Sequence, residues 1–549
     1  MAESVPLTAA NLPIVARLHQ QLEKTNLTPL PMYERELSSF DSIICHIGVG
    51  AFFRSHEAVY THELLIDQMN GIVDDTERWG IVGAGIRGTS TRDTLDEQDY
   101  LYTVLGRDST TTTVTVVGSL VNVVLSTDDR RGNELLQVLS DPKTRIVSLT
   151  LTENGYHLNT NGELNLRDDA VRHDLDLPDE GPRSAAGTLV QALALRKQRG
   201  LAPFTVLSCD NMPQNGVLAR SMVMGFLKAA GDEALQVWTE ENCCFPSTMV
   251  DRITPSTSAL DEQKPDAYSD EVRKVVQFES CVEDRWPVVA EQFKQFVIED
   301  SFVCGRPAWE KRGALFTSQI EPYMDMKLRL LNAGHSAMCY GAYLLGHRFI
   351  DCAMLDGAVR GFLVAFMQEQ AATLPLIPGE LATRDVDNYM NQIVERFTNP
   401  YIKDAIWRVA QDGSLKFAAT MRAPALCNAE AGRSVACFAC AVACWARFLV
   451  GVDEAGDSID CVLDPRAAEL TALSRAVFQC SACGAVGAPC TAVLPPSGTT
   501  DVTAFLASIF GEEFAENGSI VEEVIDALTT LANSSTRHLM THRVKHYGL

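Results

Sequence analysis

The residues of this chain that are best suited to proton chemistry lie together in the segment KLRLLNAGHS, residues 327–336. The segment places Lys327, Asn332 and His335 within nine residues of a leucine-rich stretch, where core helices rarely carry such groups. An unpaired ammonium group in apolar surroundings costs several kcal/mol. We therefore expect Lys327 either to extend to water or to lie in a cleft with a lowered pKa, where it could act as a base.

Two other interpretations of this segment stay open. In a purely structural one, Lys327 and Arg329 are solvated. Asn332 then lies near a helix end and His335 is satisfied in the core. In the other, Tyr323 and Lys327 form a Y-x-x-x-K pair similar to that of short-chain dehydrogenases, although the chain is more than twice their usual length. An ideal α-helix, at about 100° per residue, places Lys327, His335 and Asn332 at roughly 0°, 80° and 140°, an arc that the lysine stem can bridge.

A candidate phosphate site precedes this cluster in the sequence. The apolar run SIICHIGVG, residues 42–50, ends in Gly48 and Gly50, and helical spacing follows in AFFRSHEAVYTHELL. A strand, a tight glycine turn and a helix present backbone N–H groups to an anion, so the pattern predicts a nucleotide pyrophosphate site. Its form is G-x-G-x-x-x-R, and we add Phe52 and Arg54 to the expected cofactor contacts.

A literal G-x-G-x-x-G motif occurs later, in GAGIRG at residues 83–88. After a second strand, a dinucleotide-binding fold contacts the adenosine ribose rather than the pyrophosphate, and we assign Gly83 and Arg87 to that contact. No acid lies between Gly83 and Arg92. An acid would select the 2′-hydroxyl of NAD, whereas Arg87 and Arg92 could accept the 2′-phosphate of NADP, so NADP(H) stays open beside NAD(H).

Apolar runs alternate with helical spacing through the first half of the chain. Further strand-like runs lie at residues 78–85, 112–118, 144–152 and 203–211, with a helical stretch at 184–199. Nearly continuous Val, Ile and Leu strands between helices predict an α/β fold with a Rossmann-type doubly wound sheet. Beyond about residue 318 long helical periodicities dominate. We predict a dinucleotide-binding domain at 1–245, to which 286–310 could return, a mainly α-helical C-terminal domain at 246–549, and a ligand cleft between them.

The charge balance argues against polyanionic partners. The chain has 71 acidic and 46 basic residues and a formal net charge of −25, which repels nucleic acid and anionic membrane surfaces but not a small neutral substrate. The first residues carry an acid early and no apolar segment of signal-peptide length, which predicts a cytoplasmic protein. We expect a monomer or a weak homodimer.

The cysteines invite a metal-binding interpretation. Two CxxC pairs, Cys437–Cys440 and Cys480–Cys483, could be the halves of a zinc cluster. However, Cys437, Cys440 and Cys444 lie at i, i+3 and i+7 among Ala, Val and Phe, which is typical of one stripe of a core helix. We therefore predict that 434–452 is a buried helix rather than a membrane span, and we expect no metal site.

Seven sequence blocks together resemble one family. They are HIGVGAFFRSHEAVY, SLTLTENGY, FTVLSCDNMPQNG, FPSTMVDRITP, GRPAWEKRGALF, MKLRLLNAGHSAMCY and RFTNP. In this order, from about residue 40 to about residue 450, they are similar to the polyol-specific long-chain dehydrogenases. The resemblance implies a two-domain, metal-independent enzyme that interconverts a sugar alcohol and a ketose with NAD, and we expect D-mannitol and D-fructose to be the pair.

The resemblance also assigns roles by position. Lys327 resembles the general base, and His335 resembles a residue that orients the substrate. Asn211 and Asn332 resemble the pair that hydrogen-bonds the reacting oxygen. Family substrate contacts correspond to Asp251, Arg408 and Lys416. To the cofactor contacts we add Glu153 and Asp210.

Departures from the family pattern leave alternatives open. The position three residues before Lys327 can be glutamate in the family but is Met324 here, so the path of the proton to solvent can differ. We therefore consider Glu153 as an alternative proton relay. Within the family, the alternatives are a uronate reductase acting on fructuronate or tagaturonate, or a dehydrogenase of another polyol. From another class, the alternative is a nucleotide-binding scaffold without catalysis.

Overall fold

The structure is a computed structural model and describes residues 4–22, 26–74, 76–85, 90–125, 134–159, 161–255, 265–377, 381–459, 462–479, 496 and 498–547. The chain divides into two compact units, Met1–Glu321 and Pro322–Leu549. The first unit contains the described strands, and the second is helical.

The strands of the first unit are short and mostly buried. They are β1 (Val5–Pro6), β2 (Ser42–Ile47), β3 (Trp79–Gly85), β4 (Tyr102–Arg107), β5 (Thr112–Val117), β6 (Leu120–Leu125), β7 (Thr144–Leu149), β8 (Thr205–Ser208), β9 (Thr248–Asp251), β10 (Val282–Glu283), β11 (Val288–Glu291), β12 (Gln295–Glu299) and β13 (Leu315–Thr317). The helices between them are α1 (Leu12–Gln21), α2 (Ala51–Ser55), α3 (Glu57–Met69), α4 (Ser90–Asp96), α5 (Glu134–Leu139), α6 (Asp169–Asp176), α7 (Ala185–Gln198), α8 (Asn215–Ala230), α9 (Glu233–Asn242) and α10 (Pro265–Ser280).

The largest sheet is parallel throughout, with strand order β6-β3-β2-β7-β8. Successive residues of β2 enter two different cores: Ile43 and Cys45 pack on one face of the sheet, and Ile44 packs on the other. This two-sided burial is why the strands are apolar at nearly every position. The chain turns from one side of β2 to the other between β6 and β7, so the carboxyl ends of β2 and β7 form the switch point where such sheets bind ligands.

Four of the five predicted strands lie in this sheet, whereas the run at 112–118 does not. It forms β5, which pairs antiparallel with β4 in a separate sheet of order β11-β4-β5. Its residues alternate between buried and half-buried, which is typical of an antiparallel strand with one covered face. The next strand in the chain, β6, pairs with β3 in the parallel sheet instead.

The division between the units lies later in the chain than residue 245, where the sequence predicts it. The strands at residues 248–317 pair with each other or with earlier strands: β12 joins β9 to β13, and β11 pairs with β4. These ladders hold the segment in the first unit, together with the stretch 286–310.

The second unit is built from helices of very different lengths. They are α11 (Glu321–Met326), a π-helical segment (Lys327–Asn332), α12 (Ala333–Leu344), α13 (Ile350–Met354), α14 (Gly357–Ala371), α15 (Thr383–Phe397), α16 (Ile406–Val409), α17 (Gly413–Glu430), α18 (Ala436–Leu449), α19 (Ala467–Val477), α20 (Thr499–Phe510), α21 (Glu512–Ala515), α22 (Gly518–Asn533) and α23 (Thr536–Val544). Helix α11 begins at the last residue of the first unit.

Helix α18 is the central helix of the second unit, as its composition predicts. Cys437, Cys440 and Cys444 are fully buried in it, and burial raises the pKa of the Cys440 thiol well above its usual range. They act as small apolar side chains, whereas Cys480 and Cys483 lie outside the described residues. Over the ranges given above, no group of three or more His, Cys, Asp or Glu side chains is placed to hold a metal ion. Within the same ranges, no helix combines the length and the apolar character needed to cross a bilayer.

Candidate active site

The predicted glycine turn lies at the carboxyl end of β2 and borders a cavity of about 320 Å³. Gly48 has φ +108°, and a Cβ atom there would lie 2.2 Å from the backbone oxygen of Thr150. Only glycine fits this backbone and this close approach. The cavity is lined by the ends of β2, β3, β6 and β7 and by the segments that follow: Ile47, Gly48, Val49, Ala84, Gly85, Thr91, Arg92, Val123, Leu125, Thr150, Leu151, Thr152, Asn154, Gly155, His157, Arg183 and Ala185.

The other residues near this turn that the sequence assigns to cofactor contacts make contacts within the protein. Gly50 is the N-cap residue of α2, and Phe52 stacks on His56 with ring centroids 4.9 Å apart. Arg54 is buried: its guanidinium lies 3.6 Å from the centre of the Trp286 ring and donates to the Trp286 oxygen at 2.8 Å. Burial lowers the pKa of Arg54 to about 10. Its contacts therefore hold α2 against the segment before β11.

Gly83 lies inside β3, one residue before the strand end that lines the cavity. A Cβ atom at Gly83 would lie 2.6 Å from a methyl group of Val49. The glycine therefore lets the Gly48 turn pack on β3, which is a packing role beneath the cavity. Arg87 lies outside the described residues.

Asp210 fixes the loop that follows β7. Its carboxylate accepts hydrogen bonds from the backbone N–H groups of Leu151 and Thr152, both at 3.0 Å, and from the Tyr156 hydroxyl at 2.7 Å. Thr152 has φ +64°, an uncommon conformation for a β-branched residue, and these bonds hold it there. Glu153 follows and is exposed. Thr152 lines the cavity and Asp210 does not. Asp210 therefore shapes the cavity wall through the loop that it holds.

The Lys327 segment is a π-helical turn between α11 and α12. The N–H group of Ala333 donates to the oxygen of Leu328, five residues earlier. Lys327 and Asn332 are also five residues apart, so the wider turn brings them towards one face of the helix. An α-helix would separate them by about 140°. The ideal-helix geometry is therefore wrong over this turn, and π turns of this kind often occur at functional sites.

Lys327 is buried, with 6% of its surface exposed. The neighbouring cation Arg329 donates to Asp325 at 2.7 Å and to the backbone oxygen of Thr373 at 2.6 Å. The structural interpretation in which Lys327 and Arg329 are both solvated is therefore wrong for the lysine. Asn332, the last residue of the π turn, is half-buried.

His335 lies one turn beyond the π segment, at the start of α12. Its ring stacks face to face on Phe397, with centroids 3.7 Å apart and planes 5° apart. Phe397 belongs to the RFTNP block at the end of α15 and is 2% exposed. The sequence of this block does not reveal that its phenylalanine is a platform for the imidazole, because the contact joins two helices distant in the chain.

Arg408 and Lys416 lie in the same unit. The Arg408 guanidinium binds both oxygens of Asp404, at 2.6 and 2.7 Å, and its side chain is half exposed. Lys416 Nζ donates to the backbone oxygen of Val409 at 3.0 Å, and burial lowers the pKa of Lys416. Asp404 has no counterpart among the predicted site residues.

Asn211 and Asp251 lie in the first unit. Asn211 follows Asp210 beyond the end of β8 and is exposed, whereas Asp251 ends β9 and is 4% exposed. Of the residues predicted in the first unit, Gly48 lines the cavity, whereas Asp251 ends a strand of another sheet. The remaining predicted residues, Lys327, Asn332, His335, Arg408 and Lys416, lie in the helical unit.

A doubly wound sheet with a glycine turn at its switch point, joined to a helical unit that buries a lysine on a π turn, is the architecture of a two-domain dehydrogenase. The chain belongs to the mannitol dehydrogenase family. The family's Rossmann domain matches residues 42–311, and its C-terminal domain matches residues 319–482.

Individual relatives cover nearly the whole chain. D-mannonate oxidoreductase of Escherichia coli (strain K12) is 36% identical over 509 residues, 91% of this chain and 95% of that protein. Mannitol 2-dehydrogenase of Pyricularia oryzae is 37% identical over 472 residues, 84% and 88% of the two chains. Among solved structures, the ternary complex of Pseudomonas fluorescens mannitol 2-dehydrogenase with NAD and D-mannitol has a TM-score of 0.75 and 34% identity and covers 99% of both chains. D-sorbitol dehydrogenase in substrate-free form has a TM-score of 0.78 and 30% identity, covering 94% of this chain and 98% of its own.

Proposed function

We propose that the protein oxidises a polyol to a ketose with a nicotinamide dinucleotide, reversibly and without zinc, and that D-mannitol and D-fructose are the pair. The observation that carries the proposal is the burial of Lys327 on a π turn that ends at Asn332. It is supported by relatives named mannitol 2-dehydrogenase and by the similar structure that binds NAD and D-mannitol.

The first unit fits the dinucleotide. The Gly48 turn is bare backbone that a Cβ atom would fill, and it lies beside the cavity at the switch point of the sheet. Arg92 and Arg183 line the same cavity and give it a positive charge that suits phosphate groups. When bound, the nicotinamide ring supplies the acceptor for the hydride.

The residues of the helical unit supply the proton chemistry in this proposal. In this proposal Lys327, in its neutral form, takes the proton of the reacting hydroxyl at Nζ. The side-chain amide of Asn332 donates to the same oxygen as it gains negative charge, a contribution of about 3 kcal/mol by analogy with oxyanion holes. The stacked His335 is held in one orientation and positions the substrate.

Asp404 partly compensates the charge of Arg408, since its two oxygens accept from Nε and Nη2 of the guanidinium. The half-exposed guanidinium keeps further N–H groups that can donate to a polyol hydroxyl or to a carboxylate. A sugar acid such as D-mannonate is the second candidate, and the Escherichia coli relative supports it. In this proposal Arg408 and Lys416 bind hydroxyl groups of the polyol.

Initial rates with D-mannitol, D-sorbitol and D-mannonate, each with NAD and NADP and with and without a chelator, test the proposal. We expect D-mannitol to give the highest kcat/KM and the chelator to change nothing. Replacement of Lys327 by Ala should abolish turnover and leave NADH affinity intact. Loss of activity on chelation would contradict the metal-free mechanism. NADH binding without turnover of any substrate would instead favour a scaffold.

A further inference from the structure

A buried polar network lies beneath the glycine turn and has no part in the roles assigned above. It joins His46 on β2, Ser148 opposite it on β7, and Glu57 at the first position of α3. These three residues are at most 1% exposed. The His46 ring also stacks on Phe53, with centroids 3.6 Å apart. Polar side chains in an apolar core are tolerated when they are hydrogen-bonded, and in this network the Oε1 atom of Glu57 is the exception that has no hydrogen-bond partner among the described residues.

Both ring nitrogens of His46 face hydrogen-bond acceptors. Nδ1 lies 2.8 Å from Ser148 Oγ and 3.1 Å from Glu57 Oε2. Nε2 lies 2.9 Å from Thr150 Oγ1 and 3.1 Å from the backbone oxygen of Gly48. The Ser148 hydroxyl donates to Glu57 at 2.8 Å, and the Thr150 hydroxyl donates to Gly48 at 2.7 Å. Each hydroxyl has one hydrogen, so both can keep these bonds only when both ring nitrogens of His46 carry hydrogen.

We propose that His46 is an imidazolium paired with Glu57, and that this pair is a positioning element of the pyrophosphate site. The inference rests on the proposed function, since it requires a dinucleotide at the Gly48 turn. Glu57 binds the ring from the side opposite Gly48, so the positive end of the pair points towards the turn. A dipole whose positive end lies beneath the turn favours an anion above it.

The contacts of Gly48 explain how the pair would act on the ligand. The Gly48 oxygen accepts from the N–H group of Gly50 at 2.6 Å, and from Thr150 and His46 at the distances given above. These donors hold the carbonyl inside the protein and keep its lone pairs away from a phosphate. His46 and Glu57 do not line the cavity, so their effect on the ligand passes through Gly48 and Thr150.

The test is the Glu57→Gln variant, which keeps the shape of the side chain and removes its charge. We expect the dissociation constant for NADH, measured by fluorescence titration, to rise by about tenfold, which corresponds to one charge-assisted hydrogen bond. The KM for the polyol at saturating cofactor should stay unchanged. Glu369→Gln, which alters another buried glutamate in the helical unit, is the matched control and should bind NADH like the wild type.

The protonation state of His46 is measured separately. The ¹⁵N NMR spectrum of the wild type should show both ring nitrogens of His46 protonated, and Glu57→Gln should leave one of them without a proton. If Glu57→Gln does not fold, Ser148→Ala replaces it, because Ser148 bonds both His46 and Glu57 and does not line the cavity. Thr188→Val is its buried control, and the Ser148 variant should weaken NADH binding several-fold.

Two results would overturn the inference. One is equal NADH affinity in the wild type and in the folded variant, measured well below both melting temperatures. The other is a wild-type spectrum in which one His46 nitrogen lacks a proton. A wild type that does not bind NADH at all would instead contradict the proposed function, and the spectrum would still test the ion pair.

Discussion

The rings of His335 and Phe397 lie parallel, 3.7 Å apart, although 62 residues separate them in the chain. An imidazole stacked on a buried phenyl ring can tilt little, so the plane of the His335 ring is set by α15. Aromatic pairs of this kind contribute about 1 kcal/mol beyond the area that they bury. The platform thus connects the end of α15 to the orientation of the residue that we propose to position the substrate.

Replacement of Phe397 by Leu should therefore lower kcat/KM for the polyol by about three- to tenfold, the equivalent of one aromatic contact. NADH affinity should stay at the wild-type value, because the change lies in the helical unit. Phe362→Leu is the matched control, since Phe362 is also fully buried in that unit and packs on Phe366 instead. A similar loss of kcat/KM in both variants would mean that general destabilisation, and not the platform, is responsible.

The π turn at Lys327–Asn332 leads to a second prediction. A π turn contains one residue more than an α turn, and the helix continues on both sides. Deletion of Leu328 should let the segment close as an α-helix and rotate Lys327 away from Asn332 while α12 keeps its place. We expect kcat to fall by at least about 100-fold, as for a misplaced catalytic group, while the helical circular dichroism signal is kept. Leu328→Ala, which retains the turn, should keep most of the activity.

Local patterns predicted the parts of the site that short segments determine. The strand and turn at residues 42–50 follow from an apolar run and glycine spacing, whereas the cluster of polar groups at residues 327–335 left both a buried and a solvated Lys327 open. The π turn does not follow, because an extra residue in one turn leaves the apolar periodicity of α11 and α12 nearly unchanged. An α-helix is therefore the natural but wrong expectation at that point.

Contacts between residues distant in the chain were the second feature that the sequence did not predict. Arg54 fits a phosphate-binding pattern, but its position depends on Trp286, which is 232 residues away. The run at 112–118 is as strand-like as its neighbours, yet its partner is β4 and not the parallel sheet. The platform beneath His335 and the carboxylate bound to Arg408 were missed for the same reason, since both depend on how helices of the second unit pack.

The side chain of Arg92 leads to a prediction about the cofactor. Arg92 lines the cavity beyond β3 with 12% of its side chain exposed, whereas its ion-pair partner Asp93 is 56% exposed. An arginine at this edge can bind the 2′-phosphate of NADP, which NAD lacks. Arg92→Ala should raise the dissociation constant for NADPH by about tenfold and that for NADH by less than about threefold. Fluorescence titration with both cofactors measures the ratio, and Arg220→Ala, on the surface of α8, is the control. Equal losses for the two cofactors would contradict the assignment.

Glu369 in α14 is a buried carboxyl group with an unusual pKa. It accepts hydrogen bonds from the backbone N–H groups of Cys437 and Phe438, both at 2.8 Å, and from the Tyr547 hydroxyl at 3.0 Å. Burial nevertheless dominates and raises its pKa from about 4.5 to about 7. Between these two pH values the folded protein holds a proton that the unfolded chain has lost. The stability that this proton provides is therefore complete below about pH 4.5 and is lost as the pH rises through about 7.

We accordingly expect the free energy of unfolding of the wild type to fall relative to that of Glu369→Gln as the pH rises from 4.5 to 8. The change should approach about 3 kcal/mol, because the variant has no proton to lose there. Denaturant unfolding of both proteins at several pH values gives the difference directly, and other ionisable groups cancel in it to first order. A difference that is constant over this range would show that Glu369 has an ordinary pKa in the folded protein, and a difference that grows in favour of the wild type would show a lowered pKa. Either result would contradict the prediction.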